Sequence, residues 1–106
     1  MKKLWDYVAV NLSRESQVIE VADRVVERVF DKAWSLLVGR ILDLPVAEAR
    51  GYVQARAAIL LRDAVIAECS SSHDPAVYSC AMAMTVQRAI DRAHYLRART
   101  LSQRAA

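Results

Sequence analysis

Proline, glycine, cysteine and phenylalanine are all scarce in this 106-residue chain: two Pro, two Gly, two Cys and one Phe. So few turn formers exclude a β-rich sandwich or barrel and a low-complexity disordered chain. Two Cys exclude a disulfide framework, and in a chain without an export signal they read as reduced thiols. No stretch of roughly 18 apolar residues is free of charge, because the richest run, 57–67, is interrupted by Arg62 and Asp63. A transmembrane span is therefore not expected. Met1-Lys2-Lys3-Leu4-Trp5 opens like a signal peptide, yet Asp6, Asn11, Arg14 and Glu15 leave no apolar region behind it. The chain reads as cytoplasmic.

What is present points to helix. Alanine occurs 18 times and arginine 12 times, and both are good helix formers. The fold class is all-α: three long antiparallel helices and a short N-terminal helix, in one bundle completed by oligomerisation. Two junctions divide the chain, Asp43-Leu44-Pro45 and Ser72-His73-Asp74-Pro75. Asp and Ser accept hydrogen bonds from the free N–H groups of a helix's first turn, and proline is tolerated there because its missing N–H would be unpaired anyway. The expected segments are an arm or short helix over 1–12, helices over 13–44, 45–70 and 74–101, and a frayed tail over 102–106.

Leu4, Trp5, Val8 and Leu12 can share one side of the short first segment. Such a segment either lies on a membrane surface or, more simply, folds back to cap the bundle. Ser13 is the expected N-cap of the next helix. There Ile19, Val26, Phe30, Ala33, Leu37 and Ile41 recur at helical spacing, flanked by Val18, Ala22, Val25 and Val29. Glu20, Asp23, Arg24, Glu27, Arg28, Asp31 and Lys32 form the opposite, solvated face.

The second helix carries two apolar stripes. One runs through Val46, Ala49, Val53, Ala57, Leu60, Ala64 and Ala67, the other through Tyr52, Ala55, Ile59 and Ile66. Small residues align at Ala47, Gly51, Ala55 and Ala58, and glycine within a helix costs about 1 kcal/mol relative to alanine. Close approach of another helix would offset that cost. A three-helix rod buries one face of each helix, so a second apolar face predicts a homo-oligomer, a two-fold dimer being the simplest, through Ala47, Gly51, Ala55, Ala58, Ile59 and Ile66. The third helix is expected to bury Met82, Val86, Ala89, Ala93 and Leu96, with Val77, Ala81, Met84 and Ile90 beside them.

Charge is uneven. The net charge is +3, but the segment from Thr85 onward holds five Arg against one Asp. Arg88, Arg92, Tyr95 and Arg99 recur at four, three and four residues, a stripe that could meet an acidic protein or contact phosphate and stack on a base of RNA.

Cys69, His73 and Cys80 cluster near one hairpin end with zinc-like identities, but three ligands at irregular spacing fall short of a tetrahedral site, so no metal and no cofactor is expected. Ser70-Ser71-Ser72 beside His73 reads as a loop with caps. Asp91-x-x-His94 is half of the paired helical motif of di-iron bundles, which needs two such pairs and two further Glu.

Arg88 and His94, with five residues between them, resemble the Arg-x(4–6)-His signature of HEPN domains, small all-α dimers that often act as metal-independent ribonucleases. The resemblance spans residues 88–94, and Ala89 stands where the family usually has a polar residue. It implies His94 as general base, Arg88 as a stabiliser of phosphate charge and Tyr95 as an auxiliary, meeting across a dimer interface. The leading expectation is a non-enzymatic, self-associating helical interaction module. The HEPN-like RNA-binding or ribonuclease dimer is the alternative.

Overall fold

The computed structural model of the protein describes residues 2–70 and 74–105, with side chains from Arg14 onward. It is all-helical, in the order α1 (Lys2–Asp43), α2 (Val46–Glu68) and α3 (Pro75–Ala105), and each helix packs against the other two. The molecule is a rod of 61 × 25 × 20 Å. With a rise of about 1.5 Å per residue, the 42 residues of α1 alone span its long axis. Cross-helix contacts fix the topology as up-down-up: Arg28 meets Glu68 at the end of α2, whereas Asp23 and Asp31 meet Arg88 and Arg92 in the same order along α3.

Two expected boundaries are corrected. The backbone is helical without interruption from Lys2, so no separate helix ends at residue 12 and Ser13 is not an N-cap. No proline or glycine occurs between Lys2 and Val38, and a single serine is too weak a signal to stop a helix once it is propagating. The N-terminal segment therefore does not fold back over α2. Likewise α3 continues through the predicted tail to Ala105, since Ser102-Gln103-Arg104-Ala105 contains no breaker. The side chains of Leu4, Trp5, Val8 and Leu12 lie outside the described residues.

The junctions fall where the prolines place them, by different means. Asp74 caps α3 as expected: its Oδ1 accepts from the Ala76 N–H at 3.0 Å, with Pro75 at the first helical position. Asp43, by contrast, is the last residue of α1 and caps nothing, while Pro45 takes the N-cap position of α2 without a side-chain cap. An acidic residue opposes the dipole at a helix C-terminus. The offset comes from α3, where Arg97 Nε donates to the Ile41 carbonyl at 3.3 Å and its Nη2 to the Leu44 carbonyl at 2.8 Å.

The core contains the expected α1 residues Val18, Ala22, Val25, Val26, Phe30, Ala33, Leu37 and Ile41, joined by Val21, but Ile19 is 40% exposed. In α2 and α3 the buried stripe differs from the expected one. It runs at a strict four-residue repeat through Ala49, Val53, Ala57, Leu61 and Val65, and through Val77, Ala81, Thr85, Ala89 and Ala93, with Ile90 beside it. Leu60, Met82, Val86, Met84, Leu96 and Trp34 are only half-buried. Alanines recur on the inner ridges, Ala49 and Ala57 in α2 and Ala81, Ala89 and Ala93 in α3, leaving room for the larger Phe30, Leu37 and Ile41 of α1. Thr85 is fully buried and satisfied within its own helix, its hydroxyl donating to the Ala81 carbonyl at 2.6 Å.

Candidate functional site

With the inner stripe of α2 fixed at Ala49, Val53, Ala57, Leu61 and Val65, the opposite side of that helix faces solvent. Ala47, Gly51, Ala55, Ile59 and Ile66 all lie on it, exposed, with Ile59 at 67% and Ile66 at 44%. Ala58 departs from this set: it is half-buried and turns toward a recess shared with Met82, Val86 and Ile90 of α3. A Cβ built on Gly51 would meet nothing within 4 Å, so no helix of the same chain approaches closely there. The expected close contact at Gly51 is not made within one protomer.

Glu48 and Arg62 lie along this face and Asp63 at its edge, and none of them joins an ion pair among the described residues. Sequence reasoning identified the aliphatic and small residues of this face but gave Glu48 and Arg62 no part in it. Their placement, seven residues on either side of Ala55, was the available signal.

The arginine stripe of α3 is divided. Arg88 pairs with Asp23 of α1. Arg92 approaches Asp31 at 3.8 Å and lies over the Phe30 ring, 4.9 Å from its centroid. This cation–π contact covers an otherwise open edge of the core. Two of the three arginines thus close the seam between α1 and α3. Tyr95 (63% exposed) and Arg99 remain in solvent.

Within one chain the structure does not bring Arg88 and His94 together. Six positions apart on a helix, they point roughly 120° apart around its axis. Arg88 turns to α1, while exposed His94 borders a small recess lined by Ile41, Arg50, Val53 and Arg97.

The two described members of the sulfur-rich set are also apart. Cys69 is buried in the core, whereas Cys80 is exposed on a groove with Arg14, Val18 and Met84. Burial first, and the Glu68 carboxylate second, push the Cys69 thiol above its usual pKa, which keeps it protonated and unreactive. His73 lies outside the described residues. Among the described residues no group of three His, Cys, Asp or Glu side chains is placed to hold a metal ion, and no helix is long and apolar enough to cross a membrane. No family model, no curated protein and no solved structure matches this chain.

Proposed function

We propose that this protein is a non-enzymatic helical assembly module whose second helix is its contact surface, and that the surface binds a second copy of the same chain. The observation that carries this reading is Ile59, two-thirds exposed at the centre of α2 and flanked along one face by Gly51, Ala55 and Ile66. A side chain of this size left in water forgoes about 1.5–3 kcal/mol of burial free energy. The chain's own N-terminal segment does not supply the cover, because it continues straight into α1. Small residues beside the isoleucines would let another helix approach at close range, and the remaining charges of this face have no intramolecular ion-pair partners among the described residues.

The test is oligomeric state by light scattering for the wild type and Ile59→Asp. We expect a dimer in the micromolar range for the wild type and a monomer of unchanged helix content for the variant. A wild-type chain that stays monomeric across that range refutes the reading.

A further inference from the structure

The outer face of α2 has an internal symmetry. With a turn of about 100° per residue, Glu48, Gly51, Ala55, Ile59, Arg62 and Ile66 all lie within about 40° of Ala55 around the helix axis. Every one of them is exposed. Their spacing mixes steps of three and four residues, the repeat of a seam between two nearly antiparallel or parallel helices.

Resting on the proposed self-association, we infer that the two copies meet in one antiparallel register, with the two-fold axis at Ala55, Ile59 of each protomer over Gly51 of the other, and Glu48 of each facing Arg62 of the other. In such a pair a residue a given distance before Ala55 meets the residue the same distance after it. Gly51 and Ile59 are each four residues from Ala55, and Glu48 and Arg62 are each seven. Both matches are complementary. The one glycine of the helix receives its most exposed isoleucine, and it does so where a Cβ would have open space in the isolated chain. The carboxylate and the guanidinium, neither held by an ion pair within the described protomer, become each other's partners twice over by symmetry.

Alternative arrangements lose one match or both. A parallel pair sets Glu48 beside Glu48, Arg62 beside Arg62 and Ile59 against Ile59. An antiparallel pair centred on Ile59 opposes Arg56 to Arg62 and leaves Gly51 against Ala67. One centred midway between Ala55 and Ile59 places Glu48 against Ile66 and Asp63 over Gly51, with no ion pair.

The test combines cross-linking with charge exchange in a Cys80→Ser background, which leaves Cys69 buried. Ala55→Cys should form an interchain disulfide on mild oxidation, because the axis brings the two copies of position 55 together. Ala47→Cys should not, since position 47 faces position 63 of the other chain. Glu48→Arg and Arg62→Glu should each weaken the dimer about tenfold, as two exposed attractions become two repulsions, and the double exchange should restore wild-type affinity. Circular dichroism checks that each variant is folded.

Cross-linking at both 47 and 55 would overturn the register in favour of a parallel pair while leaving self-association intact. A dimer that fails to cross-link at 55 and ignores both charge reversals would overturn it as well. A monomeric wild type would instead remove the underlying reading.

Discussion

The two sides of this rod use similar residues for different ends. Along the seams that α1 makes with α3 and α2, several charges that a helical wheel assigns to solvent are engaged between helices: Asp23 with Arg88, Asp31 with Arg92, and Glu68 at the end of α2 with both Arg24 (3.7 Å) and Arg28 (2.7 Å). On the outer face of α2, the charges have no such partners among the described residues and stand beside exposed isoleucines. One side is closed by its polar residues and the other is left open by its apolar ones. Polarity alone therefore does not separate inside from outside in a bundle this thin, where a long arginine can reach across a helix and a helix can be apolar on both faces.

The sharpest way to break that contrast is to truncate neighbouring leucines of α2. Leu61 is fully buried and Leu60 only half so. Leu61→Ala should cost about 2–5 kcal/mol, the range for a core leucine, and Leu60→Ala distinctly less. Urea midpoints of the two variants measure the difference directly. Equal losses would mean that the inner face of α2 is wider than the four-residue stripe.

That pair also marks how far the sequence could be read. The all-α class, the two proline junctions, the Asp74 cap and nearly the whole α1 core follow from spacing and capping chemistry, because α1 has one apolar face and a continuous charged one. The phase of α2 does not. Leu60 and Leu61 are adjacent and equally apolar in a segment apolar almost all round, so periodicity cannot choose between them, and the packing of α1 and α3 makes the choice. Thr85 could not be placed in the core because its hydroxyl is satisfied by its own helix, a local contact that leaves no pattern. Of the proposed contact face, Ala55, Ile59 and Ile66 were legible within a second stripe that also held Tyr52, and Gly51 within the seam of small residues. Glu48 and Arg62 were not, since their significance depends on symmetry about Ala55 and appears only once the inner stripe is known.

A smaller effect is expected at the C-terminus of α1. Arg97 supplies two charge-assisted hydrogen bonds, one to the Ile41 carbonyl, which also accepts from the Leu44 N–H at 3.4 Å, and one to the Leu44 carbonyl in the junction beyond α1. Arg97→Ala should lower the unfolding free energy by about 1.5–3 kcal/mol, as for hydrogen bonds to a charged donor. Arg97→Lys should recover only part of it, because an ammonium lacks the planar fork that reaches both oxygens. Full recovery by lysine would show that the charge at the helix end, rather than the paired geometry, is what stabilises it.

Next is the clasp between α1 and α2. The Glu68 side chain is 15% exposed, but its partners Arg24 and Arg28 are 56% and 72% exposed. Solvent therefore weakens each attraction. Glu68→Gln should cost about 1 kcal/mol, and the loss should shrink at high salt. Double-mutant cycles with Arg24→Ala and Arg28→Ala would show whether the two arginines act together. A larger coupling is expected for Arg28, at 2.7 Å, than for Arg24, at 3.7 Å.

The smallest effect is expected at Arg88, and it separates a seam residue from a phosphate ligand. Its guanidinium pairs with Asp23 at a partly exposed position. Arg88→Ala should therefore change stability by less than about 1 kcal/mol, and Asp23→Ala should change it by a similar amount. If that pairing is its whole role, removing Arg88 leaves any affinity for RNA unaltered, and Asp23→Ala does not create one. If Arg88 instead acts with His94 across a dimer, as the HEPN-like spacing suggests, Asp23 is a competitor for the same guanidinium. Asp23→Ala should then increase RNA binding and cleavage, Arg88→Ala should reduce both, and His94→Ala should abolish cleavage with binding almost unchanged, because it removes a proton-transfer group rather than a charge contact. The assembly-module reading expects no cleavage in any of these variants, with Arg88 and Asp23 coupled only through stability. The sign of the Asp23→Ala effect in an RNA-binding assay at physiological salt decides between the two, because each reading gives that carboxylate a different job.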